Sequence, residues 1–372
     1  MRIKQLSWLS GSLFAMTALA CRSGSSGDVP APPDCKIDNA SDLASCSGIP
    51  VMGNLFIRNS LNLVDLAGLE QLTEVTGNLH IQQMVVLVSL EGLENLSKVG
   101  GELLITGNTA LTSLQGLGSL AQAGALQLTG NGSLASLDGL ESLASVEEQL
   151  HICDNDALTS LGALGSLTAI AGPLAVHDND ALPSLDGLDN LGTVETVSIT
   201  DNDALASLTA LRNLTSIDGD LLIGAEDISC TTFFGFEGNM SLKNLTGLDA
   251  LSSVGRRVAI RFNQALSNLD ALNKLAVIGS GLDISWNGAL LRLQGLARLE
   301  SVGANLGIWK NEALTGLGLG KLSSVGKDLA IGENAKLPRA SAISLRDQLF
   351  LRGGVGGNVT ICGNLNGPRC RL

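Results

Sequence analysis

The chain repeats itself every 23 or 24 residues, and that constraint leaves few folds open. Apolar centres fall at Ile57, Ile81, Ile105, Leu128, Ile152, Val176, Ile199 and Ile223, then after one longer step at Ile260, Ile284, Ile308, Ile331 and Ile361. One copy, residues 149–170, reads QLHICDNDALTSLGALGSLTAI. The shared frame is L-x-I-x-x-N-x-x-L-x-x-L-x-x-L-x-x-L-x-x-I/V, usually with glycine opening the next copy. A period of this size sustained over a dozen copies marks a solenoid, in which each copy buries its apolar face only against its neighbours.

Leu158, Leu161, Leu164, Leu167 and Ile170 recur at every third position. An α-helix turns once per about 3.6 residues, so a strict step of three drifts around it and holds no face. The embedded glycines also disfavour helix. The L-x-I segment instead alternates like a short strand, and the period-three part is expected to bend the chain around the coil. The expected fold is mainly β: a parallel β-solenoid of about thirteen leucine-rich rungs with disulfide-closed ends. At about 4.8 Å per rung, the stack would be roughly 60 Å long.

Three residues after most strand centres, setting the insertion before Asn239 aside, stands an asparagine: Asn108, Asn131, Asn155, Asn179, Asn202, Asn239, Asn263, Asn287, Asn311, Asn334 and Asn364. At a tight corner its amide satisfies backbone groups left unpaired as the chain leaves the sheet, and stacked copies are able to bond to one another. The first two copies carry Ser60 and Met84 there, as terminal repeats often depart from the frame.

Residues 1–20 have the layout of an export signal, with Arg2 and Lys4 ahead of an apolar run from Leu13 to Ala20. Ala18-Leu19-Ala20-Cys21 resembles a bacterial lipobox, with alanine where leucine is usual, and implies lipidation of Cys21; ordinary signal cleavage is the alternative. Residues 21–34 read as the lipidated cysteine and a Gly/Ser/Pro-rich tether. An N-terminal cap over 35–52, a solenoid over 53–349 with an insertion at 224–236, and a C-terminal cap over 350–372 complete the organisation. Cys35 and Cys46 precede the repeats and Cys362 and Cys370 follow them, so in an exported protein each pair is expected to form a disulfide. Cys153 and Cys230 remain, and their pairing is left open.

The net charge is −13, and loss of the two signal-peptide bases takes it to −15. That disfavours nucleic acid as a partner. Seventeen acids and one base lie between Asp138 and Asp227, against 16 bases and 9 acids beyond residue 228.

With trailing leucines and paired cysteines at both ends, the frame G-x-L-x-I-x-x-N-x-x-L-x-x-L resembles the receptor L domain. That domain forms the ligand-binding lobes of insulin and epidermal growth factor receptors, and fungal cell-wall glycoproteins contain similar repeats. The resemblance spans about Gly53–Cys370. It implies a right-handed parallel β-solenoid presenting one broad sheet face for binding. It carries no signalling part, since no furin-like region, membrane helix or kinase motif appears in this sequence.

Three places were weighed for chemistry. His80, His151 and His177 flank strand centres, are expected to point outward, and lack a completing ligand set. Asp154, Asp156, Asp178, Asp180, Asp201 and Asp203 repeat on three consecutive rungs, read either as a hydrated turn or as a calcium site. Aromatic residues gather late: Phe233, Phe234 and Phe236 in the insertion, Phe262 and Trp286 two residues after their centres, Trp309 one after its own, with Arg261 and Lys310 alongside. Such a patch either docks the insertion or forms a platform for a peptide, glycan or partner protein. The expected function is a non-catalytic binding, adhesion or envelope-scaffold module, without a cofactor, lipid-anchored to the cell envelope at the bacterial outer membrane and meeting a protein or glycan at the cell surface. The alternative is a polysaccharide-active β-helix enzyme, which needs acids converging in a cleft rather than spaced by rung.

Overall fold

The computed structural model describes residues 31–224 and 238–370. Cys21, Cys230, Phe233, Phe234 and Phe236, and with them the signal, lipidation and insertion expectations, lie outside the described residues. Thirteen parallel strands, one per rung from Leu55–Arg58 to Val359–Cys362, stack through about twelve turns. A further strand, Cys35–Ile37, pairs with the first of them. Register follows the sequence period: Leu282 lies beside Leu306 and then Leu329, Ile284 beside Ile308 and Ile331. Because side chains alternate along a strand, this pairing sends one leucine and one isoleucine per rung inward, and those residues are fully buried.

The leucines spaced by three owe their step to a chain of backbone bonds. Leu164 N–H donates to Leu161 O at 2.8 Å and Leu167 N–H to Leu164 O at 2.9 Å; Leu69 to Leu66 and Leu72 to Leu69 repeat the pattern. Bonds from residue i back to i−3 are those of a 3₁₀ turn, in which residues three apart eclipse and share one side. The run becomes a short 3₁₀ helix at Gly162–Ser166, Thr209–Leu211, Asp270–Leu272 and Gln294–Leu296. A second column of short strands, from Val51–Met52 to Gly354–Val355, adds a further pairing on most rungs.

The asparagines form one hydrogen-bonded ladder in the core. Asn179 shows the unit: its Nδ2 donates to Ile152 O at 3.0 Å, His177 O at 2.7 Å and Asn202 Oδ1 at 3.2 Å. Its own Oδ1 accepts from the backbone N–H and Nδ2 of Asn155. The ladder runs from Asn108 to Asn364, and Met84 N–H feeds its first acceptor.

Both ends are closed by the expected disulfides, Cys35–Cys46 and Cys362–Cys370. The C-terminal closure also contains an α-helix, Arg339–Arg352, that the repeat frame does not foretell, and the expected cap boundary at 349/350 falls inside it. Its buried residues, Ala342, Leu345 and Leu349, are spaced for one helical face. Gln348 Nε2 fastens it to Leu319 O and Leu322 O of the last full turn. No helix among the described residues is long and apolar enough to cross a membrane.

Candidate functional site

Among the described residues, the one two positions after each strand centre adopts a left-handed conformation, forming a column down one edge of the sheet just ahead of the asparagine ladder. It includes Asn59, Gln83, Asp154, Asp178, Asp201, Phe262, Trp286, Lys310 and Glu333, with φ between 51° and 61°. Gly107, Gly130 and Gly363 take the same place on other rungs. Glycine, asparagine and aspartate tolerate this geometry, whereas a bulky aromatic side chain is an outlier there.

Phe262 and Trp286 nonetheless occupy it on adjacent rungs. Their rings stack at 5.5 Å between centroids with planes 9° apart. On the next rung, Lys310 Nζ lies 3.9 Å from the centroid of the Trp286 ring. Glu333 follows, 3.5 Å from Lys310. Trp286 is thus flanked by an aromatic ring and an ammonium, a cation–π contact, and still leaves 41% of its surface in solvent. Gln264 Nε2 ties the column down by donating to Trp286 O at 2.9 Å.

Trp309 departs from this stack. It stands one residue after its centre, so its side chain leaves the broad outer face of the sheet, between Ser285 and Gly332. A methyl group on Gly332 would meet indole carbons Cζ3, Cη2 and Cε3 at 2.2, 2.4 and 2.7 Å. Such nearly equal distances belong to a point over the ring face rather than off its rim. The indole therefore lies flat on Gly332. One rung earlier Arg261 donates to Asp283 Oδ2 at 2.7 Å. The five expected patch residues thus divide between an edge column of Phe262, Trp286 and Lys310 and a sheet-face group of Trp309 with the Arg261–Asp283 pair.

The histidines correct the sequence reading. His177 is buried, not a surface residue, with Nε2 3.0 Å from Ser198 Oγ. Its ring meets His151 edge-to-face at 5.5 Å although the two flank their strand centres on opposite sides. Burial holds the His151 imidazole below its ordinary pKa. The outer sheet face is closed to solvent around them: Cys153, Ser198, Thr200, Leu222 and Ala259 are all buried. Cys153 is disulfide-bonded, to a partner outside the described residues. His80 instead sits near the first rungs, edge-on to Phe56 at 5.2 Å and 2.9 Å from Glu102.

The acidic turns do not gather into a metal site. No group of three or more His, Cys, Asp or Glu side chains among the described residues is placed to hold a metal ion. Asp154, Asp178 and Asp180 are each raised above the usual carboxylate range, first by partial burial and then by the neighbouring carboxylates. Asp154 and Asp178 sit in the left-handed column, and Asp156, Asp180 and Asp203 are exposed just beyond the ladder. The arrangement is a strip of mutually repelling charge along the corner.

No family model matches the chain, and no curated protein matches it.

Proposed function

We propose that this chain is a non-catalytic binding module displayed at the outside of a bacterial cell, exported by its N-terminal signal and held at the outer membrane by lipid on Cys21. Its leucine-rich frame resembles the receptor L domain, and the partner it meets is a protein or glycan of a cell surface. The reading rests on one observation. Phe262 and Trp286 hold bulky rings at backbone positions that favour glycine or Asx, at a strain on the order of 1–3 kcal/mol each. Trp286 keeps 41% of its surface in water, so burial offsets that strain only in part. A partly exposed tryptophan stacked on a second ring and beside a cation is the composition of a binding hot spot.

The test is a screen of surface proteins and immobilised glycans against the soluble fragment Asp34–Leu372, with Trp286→Ala beside it. A specific ligand whose affinity falls at least tenfold in the variant, with no bond cleaved in any polysaccharide offered, is the expected result. Turnover of a polysaccharide would overturn the non-catalytic reading. A ligand indifferent to Trp286 would remove the patch from it.

A further inference from the structure

We propose that Trp309 is the stacking floor of a subsite for an uncharged sugar ring, a deeper version of the binding reading on which it rests. Trp286 is unsuited to that task because Phe262 and Lys310 flank its ring. Trp309 differs. One indole face lies against the Cα of Gly332, and the other is directed away from the sheet.

Among the described residues, the positions beside it on the sheet are small. Along the sheet, Trp309 is flanked by Ser285 and Gly332, while Gly307 and Ala330 occupy the parallel row on the same face. No side chain larger than serine or alanine stands on those four neighbouring positions. Gly332 has an ordinary backbone conformation, so its lack of a side chain serves the ring and not the chain path. The result is a flat, half-buried indole in a shallow bed.

At the rim of the bed stands the Arg261–Asp283 pair. The carboxylate lies 3.8–3.9 Å from where a side chain at Gly307 would begin. Its Oδ2 accepts from Arg261, while Oδ1 is buried with no hydrogen-bond partner. An indole face carries the negative side of the ring quadrupole and attracts polarised C–H groups, which one face of a pyranose presents. The hydroxyls at the rim of the same sugar need donors and acceptors, and a guanidinium–carboxylate pair offers both.

Charge selects the class further. Among the described residues Arg261 pairs with Asp283 and Lys310 with Glu333, and the chain is −13 overall, which disfavours a polyanion. An extended apolar peptide anchor would need a deeper pocket than a ring lying on a glycine provides.

The experiment uses the intact mature chain. Neutral hexasaccharides of glucose, mannose, xylose and N-acetylglucosamine are titrated by calorimetry and by indole fluorescence. Binding of at least one of them is expected, with a change in tryptophan emission. Trp309→Ala should weaken it tenfold or more. Gly332→Ala, which keeps the indole but lifts it from its bed, should weaken it by a similar factor, whereas Asn190→Ala, at an exposed turn outside the patch, should change it less than twofold. Melting curves matching the parent establish that each variant is folded, and Asp283→Asn supplies a further folded variant in which weakened binding is expected. A sugar that binds equally well to Trp309→Ala overturns the subsite and leaves the binding reading standing. So does a protein ligand captured through Trp286 when none of the four sugars binds. Failure of every sugar and every surface protein to bind sinks both.

Discussion

Asn202 and Asn239 are 37 residues apart in sequence, yet Asn202 Nδ2 donates to Asn239 Oδ1 at 3.3 Å, as if they stood on ordinary consecutive rungs. The pairs on either side, Asn179–Asn202 and Asn239–Asn263, close at 3.2 and 3.1 Å. The inserted residues therefore leave the chain between a strand and its asparagine without breaking the ladder. Whatever the insertion does, the core does not register it.

Replacing a mid-ladder asparagine should be costly. Asn179→Ala removes three donated bonds and strands the Asn155 amide in the core. With unsatisfied buried groups at about 1–3 kcal/mol each, a loss of about 3–5 kcal/mol is expected in denaturant unfolding. Asn190→Ala, whose amide meets Gly165 O at an exposed site, should lose less than about 1 kcal/mol. Similar midpoints for the two variants would remove the ladder from the stability argument.

Gly116 and Gly118 make a matched pair. Gly116 has φ of 108°, and a Cβ there would sit 2.0 Å from Leu90 O; around Gly118 nothing lies within 4 Å. Gly116→Ala should therefore lower stability by more than about 2 kcal/mol, while Gly118→Ala should be neutral or stabilise by up to about 1 kcal/mol. Thermal melts of the two variants decide the matter, and an unchanged Gly116→Ala melt would contradict the close approach.

The aspartate strip sets a pH dependence opposite to that of an ion-paired carboxylate. Asp154, Asp178 and Asp180 titrate higher in the folded chain than their ordinary 3.8, so between those values the folded state holds more protons than the unfolded one. Their contribution to stability falls as pH rises through that window, and the penalty is complete above the raised values. Asp178→Asn, which keeps a residue tolerant of the left-handed backbone, should raise the melting temperature at neutral pH and have little effect below pH 3.8. Added salt should narrow the difference. A variant less stable than the parent at neutral pH would show that the carboxylate is held by a favourable contact.

Peptide mapping of exported protein should recover a Cys153–Cys230 bridge. Cys153 is disulfide-bonded, the four cap cysteines pair among themselves, and Cys21 is reserved for lipid in the proposed function. A free Cys230 thiol, or Cys153 joined to Cys21, would contradict both assignments. Cys21→Ser should in turn abolish fatty-acid labelling and release the protein from membranes.

Spacing made the sheet register and the asparagine ladder readable, because each depends on a position recurring at the repeat period, and the end disulfides were readable because their cysteines flank the repeats in close pairs. The left-handed column was not readable in that way. Its backbone is common to all rungs, but its side chains range from Gly107 to Trp286, so no residue type announces it. His177 was misread because strand alternation assigns a face, whereas burial depends on what covers that face. The helix Arg339–Arg352 hid inside an overlong copy: Leu345 and Leu349 are four apart, and that break in the three-residue step was its one signal. The separation of Trp309 from Trp286 was present in their different offsets from the strand centres, one residue against two.

A stack of identical rungs has no intrinsic length, since each terminal strand offers the next molecule the same row of unpaired amides and carbonyls that its neighbour offered it. The strand Val359–Cys362 has one partner in the sheet, Leu329–Gly332, and would otherwise template a fibre. The chain beyond it turns back at once: Gly363 N–H bonds to Pro368 O and the Cys362–Cys370 bridge locks the turn. Reduction of Cys362–Cys370 is therefore expected to free residues 363–370 from that edge and expose it to end-to-end association, and light scattering under reductant that stayed at the monomer value would contradict this.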